Sequence, residues 1–349
     1  MIFLLEKTIA HIEELDHRAQ KEAQNRLDNL TKPPGSLGKL EKIVVQLAGI
    51  TGKVLPEVNN KTHIVMVADH GIVEEGVSAF PQNVTQKMVK NFINGGAAIN
   101  VLSEQIGADL KVVDIGMKSD VPNKEVLSRK VKRGTDNFAR GPAMSKKEAL
   151  TALETGIEIT QKCINQGCNL IGTGEMGIGN TSPSSAILAA LTDFDLQEIV
   201  GPGTGLDPEK VKQKAEIIAR GLEVNQPDPH EALDVLAKVG GLEIAGMAGC
   251  MLGAAAGRTP VLIDGFISGA AALIAYKLEP GVSDYLIPSH ISAEPGHIKI
   301  YELLGLNPYL DLEMRLGEGT GAVLAMNIVE SATKIIREMA TFSEAGIKK

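Results

Sequence analysis

A strand, a glycine-rich loop and a helix follow one another in Asn169-Leu170-Ile171-Gly172-Thr173-Gly174-Glu175-Met176-Gly177-Ile178-Gly179-Asn180-Thr181-Ser182-Pro183, with the helix predicted over residues 184–191. This order is typical of a parallel sheet in which helices connect the strands. A glycine-rich loop before a helix also exposes backbone N–H groups at the positive end of the helix dipole. The stretch therefore predicts an α/β fold and an anion-binding loop.

Four other apolar runs, at residues 63–68, 110–115, 260–264 and 285–288, have the character of strands. They alternate with helical segments, which predicts a parallel sheet covered by helices on both faces. Ligands of such sheets bind beyond the carboxyl ends of the strands. We therefore expect one rim to gather the polar residues that end the strands, namely 69–71, Asp114, 172–180, Asp264 and 289–290.

The two ends of the chain contain no predicted strand. Residues 2–30 and 36–52 are predicted as amphipathic helices around the breaker Pro33-Pro34-Gly35, and residues 321–341 as a C-terminal helix. We expect residues 1–55 and 310–349 to form a small helical domain beside a large α/β domain of residues 56–309. This packing would bring the turn around Glu318 over the rim of the sheet.

The composition favours an α/β enzyme with a small-molecule ligand. Of the 349 residues, 44% are hydrophobic, 3% are aromatic and 37 are glycines, which suits this class better than an all-β fold. The net charge of −8 argues against a nucleic-acid partner. Cys163, Cys168 and Cys250 predict buried thiols in a reducing compartment. The Gly/Ala-rich run at 240–257 predicts a tightly packed helix or a contact surface. The longest apolar stretch without a charge, residues 244–257, is too short to span a membrane, so we expect a cytoplasmic protein.

A lone carboxylate stands between glycines in Arg315-Leu316-Gly317-Glu318-Gly319-Thr320-Gly321, just before the C-terminal helix. Glycines let the backbone approach a ligand closely and adopt turns that other residues avoid. Glu318 is therefore a candidate general acid or base. The alternative, in which this carboxylate only caps the following helix, stays open.

A second glycine-rich loop, Gly201-Pro202-Gly203-Thr204-Gly205-Leu206-Asp207, precedes a helix predicted over residues 208–223, with Asp207 as its N-cap. A phosphate held between the two loops could be reached by one lysine of this helix, although lysines on amphipathic helices usually face solvent. The candidates are Lys210, Lys212 and Lys214. Upstream, the hydroxyl and amide of Ser78 and Gln86 either orient a planar heterocycle or cap a helix.

Histidines near the strand ends raise the question of a metal site. His70 follows one strand, and His290 and His297 lie near the end of another. Neither an HxxxH or HxH spacing nor a carboxylate cluster accompanies them. We therefore predict no metal, and a His70 that is held by hydrogen bonds.

Five motifs occur in the order found in one enzyme family: 31–38 (TKPPGSLG), 68–71 (ADHG), 174–181 (GEMGIGNT), 203–207 (GTGLD) and 317–321 (GEGTG). From about residue 30 to residue 330 the chain resembles the nicotinate-nucleotide–dimethylbenzimidazole phosphoribosyltransferase family. The resemblance implies a Rossmann-like large domain, a homodimer and no cofactor. It also implies phosphoribosyl transfer from nicotinate mononucleotide to 5,6-dimethylbenzimidazole, giving α-ribazole 5′-phosphate and nicotinate.

The resemblance further implies roles for individual residues. Glu318 matches the general base, Glu175 is a secondary catalytic residue, and Ser78 and Gln86 lie beside the benzimidazole. Attack opposite the departing nicotinate would invert the configuration at C1′. The implied residues for the nucleotide and its phosphate are Gly174, Gly177, Gly179, Asn180, Thr181, Gly203, Thr204, Gly205, Lys214 and Ser292.

Two hypotheses from other classes remain. The GxGxxG spacing suggests a nicotinamide-dependent oxidoreductase, but the nearest acidic partner, Asp193, follows a helix rather than a strand. The other hypothesis is a non-catalytic nucleotide sensor, in which the glycine loops hold a phosphate and Glu318 only caps a helix. Binding without turnover would favour the sensor.

Overall fold

The computed structural model describes residues 4–348. Its strands are β1 (Lys61–Ala68), β2 (Asp109–Gly116), β3 (Val126–Ser128), β4 (Leu170–Met176), β5 (Val261–Ile263), β6 (Leu286–Pro288), β7 (His290–Ile291) and β8 (Leu310–Asp311). The first six form one parallel sheet in the order β3-β2-β1-β4-β5-β6. β7 and β8 form a separate parallel pair.

Helices cover both faces of the main sheet. Those in residues 4–348 are α1 (Leu4–Ile9), α2 (His17–Asn29), α3 (Lys39–Thr51), α4 (Val84–Ile93), α5 (Ala98–Gln105), α6 (Lys146–Asn165), α7 (Thr181–Ala190), α8 (Leu196–Ile199), α9 (Pro208–Asn225), α10 (Ala232–Val239), α11 (Leu242–Ala256), α12 (Phe266–Leu278), α13 (Pro295–Leu304) and α14 (Thr320–Glu338). Two 3₁₀ segments lie at Gly71–Glu75 and Pro280–Tyr285. The predicted α/β class is confirmed.

The strand order reverses between β1 and β4, which is the place where open α/β sheets bind ligands. β1, β2, β4, β5 and β6 are the strands that the sequence predicts. The three-residue edge strand β3 goes beyond that prediction. No helix in residues 4–348 is both long and apolar enough to cross a membrane.

Two predicted boundaries next to the first glycine-rich stretch are wrong. β4 continues to Met176, so Gly174 and Glu175 belong to the strand rather than to a loop, and they pair with Val65 and Met66 of β1. α7 begins at Thr181 instead of residue 184. Glycines do not end β4, because the ladder to β1 continues across them.

The predicted helix over residues 2–30 is also wrong, because two helices occupy this range. Residues 10–16 separate α1 from α2, and the Asp16 carboxylate accepts a hydrogen bond from the backbone nitrogen of Ala19 at 2.9 Å. This side-chain cap starts a new helix. Residue 2, where the predicted helix starts, lies outside the described residues.

Two hydrophobic layers enclose the sheet, and β1 is buried along its whole length. Ile64 and Met66 join a layer with α6, α11 and α12, whereas Val65 and Val67 join a layer with α2, α3 and α14. The helices of the two chain ends thus share a core with one face of the sheet. Within the first layer, a Cβ on Gly156 would lie 1.9 Å from the carbonyl oxygen of Gly246. The Gly/Ala-rich run is therefore an internal, closely packed helix.

Candidate active site

A cavity of about 330 Å³ opens beyond the carboxyl ends of β4 and β5. It lies at the edge of the sheet where α/β folds bind small molecules, and its size suits such a ligand. Segments that are distant in sequence meet in its wall, namely 77–88, 175–181, 203–204, 264–268, 290–294 and 315–318.

Glu318 stands in a turn of three consecutive left-handed residues. The φ angles are 84° at Gly317, 61° at Glu318 and 84° at Gly319. A left-handed glutamate is uncommon and persists only where its surroundings hold it. His63 Nε2 donates a hydrogen bond to the Glu318 carbonyl oxygen at 2.8 Å, and a Cβ on Gly174 would lie 2.3 Å from the same oxygen. β1 and β4 therefore support the turn from below.

The carboxylate of Asp264, directly after β5, holds the start of α14. Its Oδ2 accepts a hydrogen bond from the Gly319 nitrogen at 3.2 Å, and its Oδ1 accepts from Gly321 at 2.8 Å and Ala322 at 3.1 Å. These are N–H groups that the helix itself leaves unpaired. Asp264 therefore supplies the helix cap, and the Glu318 carboxylate is left in the cavity wall.

The environment of the Glu318 carboxyl group favours its protonated form. Burial raises its pKa and the negative charge of Asp264 adds to this effect, while a hydrogen bond from the Ile99 nitrogen opposes it. A carboxylate with a raised pKa is a stronger base. The position thus suits proton uptake from a ligand.

Glu175 lies against the same turn. Its Oε2 accepts a hydrogen bond from Asn180 Nδ2, and a Cβ on Gly317 would lie 2.4 Å from its Oε1. Burial raises the pKa of Glu175 to about 8, and the nearby acids Glu243, Asp264 and Glu318 contribute. Glu175 therefore carries a proton at neutral pH.

Lys214 is the lysine of α9 that reaches the space between the two glycine-rich loops. Its Nζ donates hydrogen bonds to Thr181 Oγ1 at 2.7 Å and to the Gly201 carbonyl oxygen at 3.1 Å. Burial lowers its pKa to about 8, although the carboxylate of Glu294 opposes this. Lys210 and Lys212 are exposed, and Asp207 caps the helix as expected. A buried ammonium group beside a helix N-terminus is suited to an anion.

Ser78 lies at the mouth of the cavity, where its Oγ is 3.2 Å from Thr204 Oγ1. The backbone nitrogen of Ala79 donates to the same oxygen at 3.0 Å, so the segment 77–80 is bound to the second glycine-rich loop. Gln86 does not line the cavity, because its amide donates to the Asp120 carbonyl oxygen at 3.3 Å. The apolar part of this side comes from Val77, Phe80, Val84 and Met88.

Three side chains that we expected at the rim form hydrogen bonds with residues outside the cavity wall. Asp69 Oδ2 accepts from the Lys118 nitrogen at 2.7 Å, and Asp114 Oδ1 accepts from the Met117 nitrogen at 2.9 Å. His70 Nε2 lies 2.8 Å from Glu243 Oε1, so His70 is held by a hydrogen bond. These side chains fasten loops at the sheet edge and are not part of the cavity wall. Residues 4–348 contain no group of three or more His, Cys, Asp or Glu that could hold a metal ion.

Most residues singled out from the sequence meet in this wall: Glu318, Glu175, Ser78, Gly177, Gly179, Asn180, Thr181, Gly203, Thr204 and Ser292. Gln86, Gly174, Gly205 and Lys214 lie outside it. Gly174 is beneath the Glu318 turn, and Lys214 touches the wall through Thr181.

Two charged residues of the wall, Glu294 and Arg315, were not among the site residues predicted from the sequence. Glu294 Oε1 accepts a hydrogen bond from the Gly203 nitrogen at 2.9 Å, and Arg315 Nη1 donates to the Gly203 carbonyl oxygen at 3.2 Å. Their nearness to Ser292 and Glu318 in the sequence was the available signal.

Comparison with known proteins finds relatives that match nearly the whole chain. A family model described as "Phosphoribosyltransferase" matches residues 12–347. The nicotinate-nucleotide–dimethylbenzimidazole phosphoribosyltransferase of Alkaliphilus metalliredigens (strain QYMF) is 56% identical over 344 residues, covering 98% of this chain and 99% of the relative. The chain belongs to the nicotinate-nucleotide–dimethylbenzimidazole phosphoribosyltransferase family. A member from Desulforamulus reducens is 55% identical over 348 residues, covering 99% of each chain.

Solved structures of this phosphoribosyltransferase family share the fold. Two crystal structures from Thermus thermophilus superpose with TM-scores of 0.92 and 0.91, at 44% and 43% identity. They cover 95% and 96% of this chain, and 99% and 100% of their own. Membership in this family makes the chain a pentosyltransferase. This result supports neither the oxidoreductase hypothesis nor the sensor hypothesis.

Proposed function

We propose that this protein transfers the phosphoribosyl group of nicotinate mononucleotide to 5,6-dimethylbenzimidazole, giving α-ribazole 5′-phosphate and nicotinate. The observation that carries the proposal is a single cavity with a buried carboxylate, Glu318, in one wall and a buried ammonium group, Lys214, behind another. The names of close relatives agree with these substrates. The carboxylate is suited to removing the acceptor's proton, and the ammonium group is suited to binding the donor's phosphate.

The donor is chemically ready to react. The ring nitrogen of nicotinate mononucleotide is already cationic, so the leaving group departs as a neutral pyridine. The bond from C1′ to this nitrogen breaks, and the electron pair stays on the nitrogen. The sugar acquires positive charge in the transition state, which the carboxylates of Asp264 and Glu318 would stabilise.

The acceptor must lose a proton. When one benzimidazole nitrogen bonds to C1′, the N–H of the other becomes acidic, and the Glu318 carboxylate takes this proton. General-base assistance of this kind is worth about 10²–10⁴-fold in rate. Glu175, protonated at neutral pH, would orient the acceptor or donate a hydrogen bond to the Glu318 turn.

The two substrates bind together in this proposal. Attack from the face opposite the departing nicotinate inverts C1′, so a β-nucleotide gives an α-product. Holding both reactants in one cleft supplies part of the rate enhancement. Ser78, Phe80 and Met88 would contact the benzimidazole, and Gln86 would join them only after leaving the Asp120 carbonyl oxygen.

The phosphate site in this proposal lies between the glycine-rich loops. Thr181 and Lys214 form its base, and Gly177, Gly203 and Ser292 lie around it. The other glycines and polar residues implied by the resemblance, Gly174, Gly179, Asn180, Thr204 and Gly205, shape the two loops.

A homodimer, a cytoplasmic location and the division into domains of residues 1–55 plus 310–349 and 56–309 belong to the same proposal. The homodimer rests on the family resemblance alone, whereas the location and the domain bounds rest on sequence patterns. Light scattering of the purified protein tests the first of these. A mass of one chain at micromolar concentration would contradict the homodimer.

The deciding experiment is a chromatographic assay with nicotinate mononucleotide and 5,6-dimethylbenzimidazole, without added metal. We expect nicotinate and ribazole phosphate to appear in equal amounts, with the α configuration shown by NMR of the product. A β-configured product would contradict inversion. Binding of the nucleotide without either product would contradict the transferase proposal and restore the sensor hypothesis.

A further inference from the structure

Three segments of the cavity wall are joined by a closed ring of hydrogen bonds. The Gly203 nitrogen donates to Glu294 Oε1 at 2.9 Å, and the Ala293 nitrogen donates to the Met314 carbonyl oxygen at 3.0 Å. Arg315 Nη1 then donates to the Gly203 carbonyl oxygen at 3.2 Å. Peptide bonds between residues 293 and 294, and between 314 and 315, complete the ring. The segments 201–205, 292–294 and 314–318 are thus mechanically connected.

One side of this ring borders the proposed phosphate site. A Cβ on Gly203 would lie 2.9 Å from Thr181 Oγ1 and 3.4 Å from Lys214 Nζ. Ser292 immediately precedes Ala293, whose N–H belongs to the ring. A phosphate bound by these groups would therefore contact two of the segments that the ring joins, 201–205 and 292–294.

The other side of the ring carries the proposed base. Arg315 and Glu318 belong to one segment between β8 and α14 that contains no helix or strand. The Glu318 turn is left-handed at three positions, so its geometry depends on external contacts. A change in the position of Arg315 is thus transmitted to the Glu318 backbone over a short length of chain.

Charge makes the ring responsive to an anion. Burial raises the pKa of Glu294, and the positive charges of Lys214 and Arg315 oppose this, so both cations act on the same carboxylate without a direct ion pair to it. A phosphate beside Lys214 competes with Glu294 for that ammonium group. Glu294 is then left with Arg315 as its nearest counter-charge, and this attraction holds the Arg315 side chain beside Gly203, to which Glu294 is also hydrogen-bonded.

We propose that Arg315 is a positioning residue that couples occupancy of the phosphate site to the placement of Glu318. This inference rests on the proposed function. The donor phosphate takes no part in bond making, but its binding energy can be used to order the reacting groups, in which case a truncated donor loses kcat as well as affinity.

The test compares nicotinate mononucleotide with the phosphate-free nicotinate riboside as donors. For Arg315→Gln we expect kcat with the nucleotide to fall about tenfold while kcat with the riboside stays unchanged. Arg315→Lys, which still donates to a carbonyl oxygen, should recover most of this loss. Arg18→Gln, an exposed arginine on α2, is the matched control and should change neither value.

Two kinetic outcomes would overturn the inference. An equal fall in kcat with both donors would mean that Arg315 acts independently of the phosphate. A rise in KM for the nucleotide with unchanged kcat would make Arg315 only a binding cation. If the wild-type protein forms no product from either donor, the proposed function itself fails, and this result is distinct from both.

Amide hydrogen exchange provides a second readout that needs no turnover. With ribose 5-phosphate as the probe, we expect slower exchange in residues 312–319 of the wild-type protein and no such protection in Arg315→Gln. Protection confined to residues 201–205 and 292–294 in the wild type would contradict the coupling.

Discussion

Asp264 Oδ2 accepts a hydrogen bond, at 3.2 Å, from the backbone nitrogen of Gly319, the residue directly after Glu318. The sheet thus supplies the carboxylate that caps α14, through a residue at the end of β5. The neighbouring Glu318 does not cap the helix, and its carboxylate lies in the cavity wall. Asp264 therefore fills the capping role that the sequence left open for Glu318, and the Glu318 carboxylate stays available for the proposed role of general base.

Replacing the proposed base should remove turnover and leave binding. For Glu318→Gln we expect kcat to fall about 10²–10⁴-fold, because the amide cannot take the benzimidazole proton. KM for both substrates should change little. The measurement is product formation by chromatography, with Glu313→Gln, an exposed glutamate of the same segment, as the control. Near-normal turnover of Glu318→Gln would contradict its role.

Asp264→Asn should lower both stability and kcat. In the wild type, the Asp264 carboxylate accepts hydrogen bonds from the backbone nitrogens of Gly319, Gly321 and Ala322. The side-chain amide of the asparagine would place its own N–H group against one of these donors, which then lacks an acceptor. Losing a charge-assisted hydrogen bond and leaving a buried donor unpaired costs about 2–4 kcal/mol. Urea unfolding measures the loss, and Asp311→Asn, at an exposed position, is the control. An unchanged unfolding midpoint would show that Asp264 does not hold the turn.

Gly174→Ala should displace the Glu318 turn without touching the carboxylate. The added methyl group would lie 2.3 Å from the Glu318 carbonyl oxygen. This clash can be relieved only by a shift of the backbone, which costs free energy. We expect kcat to fall at least about tenfold, since misplacement of a reacting group by about 1 Å can cost about 10²-fold in rate. Gly141→Ala, where a Cβ meets nothing within 4 Å, should be neutral in the same assay.

The buried carboxyl group of Glu175 should make stability depend on pH. Its pKa is about 8 in the folded protein and near 4.5 ordinarily, so between these values only the folded state keeps the proton. Stability contributed by this proton is present below pH 4.5, declines as pH rises and is lost above pH 8. One pKa unit corresponds to about 1.4 kcal/mol.

The corresponding measurement is the free energy of unfolding at pH 5 and pH 8.5. The wild-type protein should lose more of it over this interval than Glu175→Gln, by about 1–4 kcal/mol. Glu158→Gln, at an exposed position of α6, should behave as the wild type does. Parallel pH curves for wild type and Glu175→Gln would refute the elevated pKa.

Lys214 should make donor affinity depend on pH. Burial lowers its pKa to about 8, so the positive charge that attracts phosphate disappears as pH rises through this value. KM for nicotinate mononucleotide should rise about tenfold between pH 7 and pH 9. Lys214→Gln should show a high KM at all pH values, whereas Lys210→Gln, on the exposed face of α9, should follow the wild type.

Much of the fold and part of the site were predictable from local patterns. Alternation of apolar strands with helices predicts the α/β class, and side chains at strand ends predict where the cavity lies. The glycines on both sides of Glu318 correctly indicate an unusual turn, because left-handed backbone is a local property. By contrast, β4 runs through Gly174 and Glu175, since pairing with β1 overrides their weak strand preference.

The sequence by itself determined the fold class, the family and the identity of the acid presented between glycines. Tertiary structure alone decided that Asp264 caps α14, that Lys214 is the buried lysine, and that Glu294 and Arg315 meet at Gly203. The physical reason is the separation along the chain over which each interaction acts. Backbone preference and hydrophobic period act over a few residues, whereas hydrogen bonds and charge interactions within the cavity join residues from distant parts of the chain.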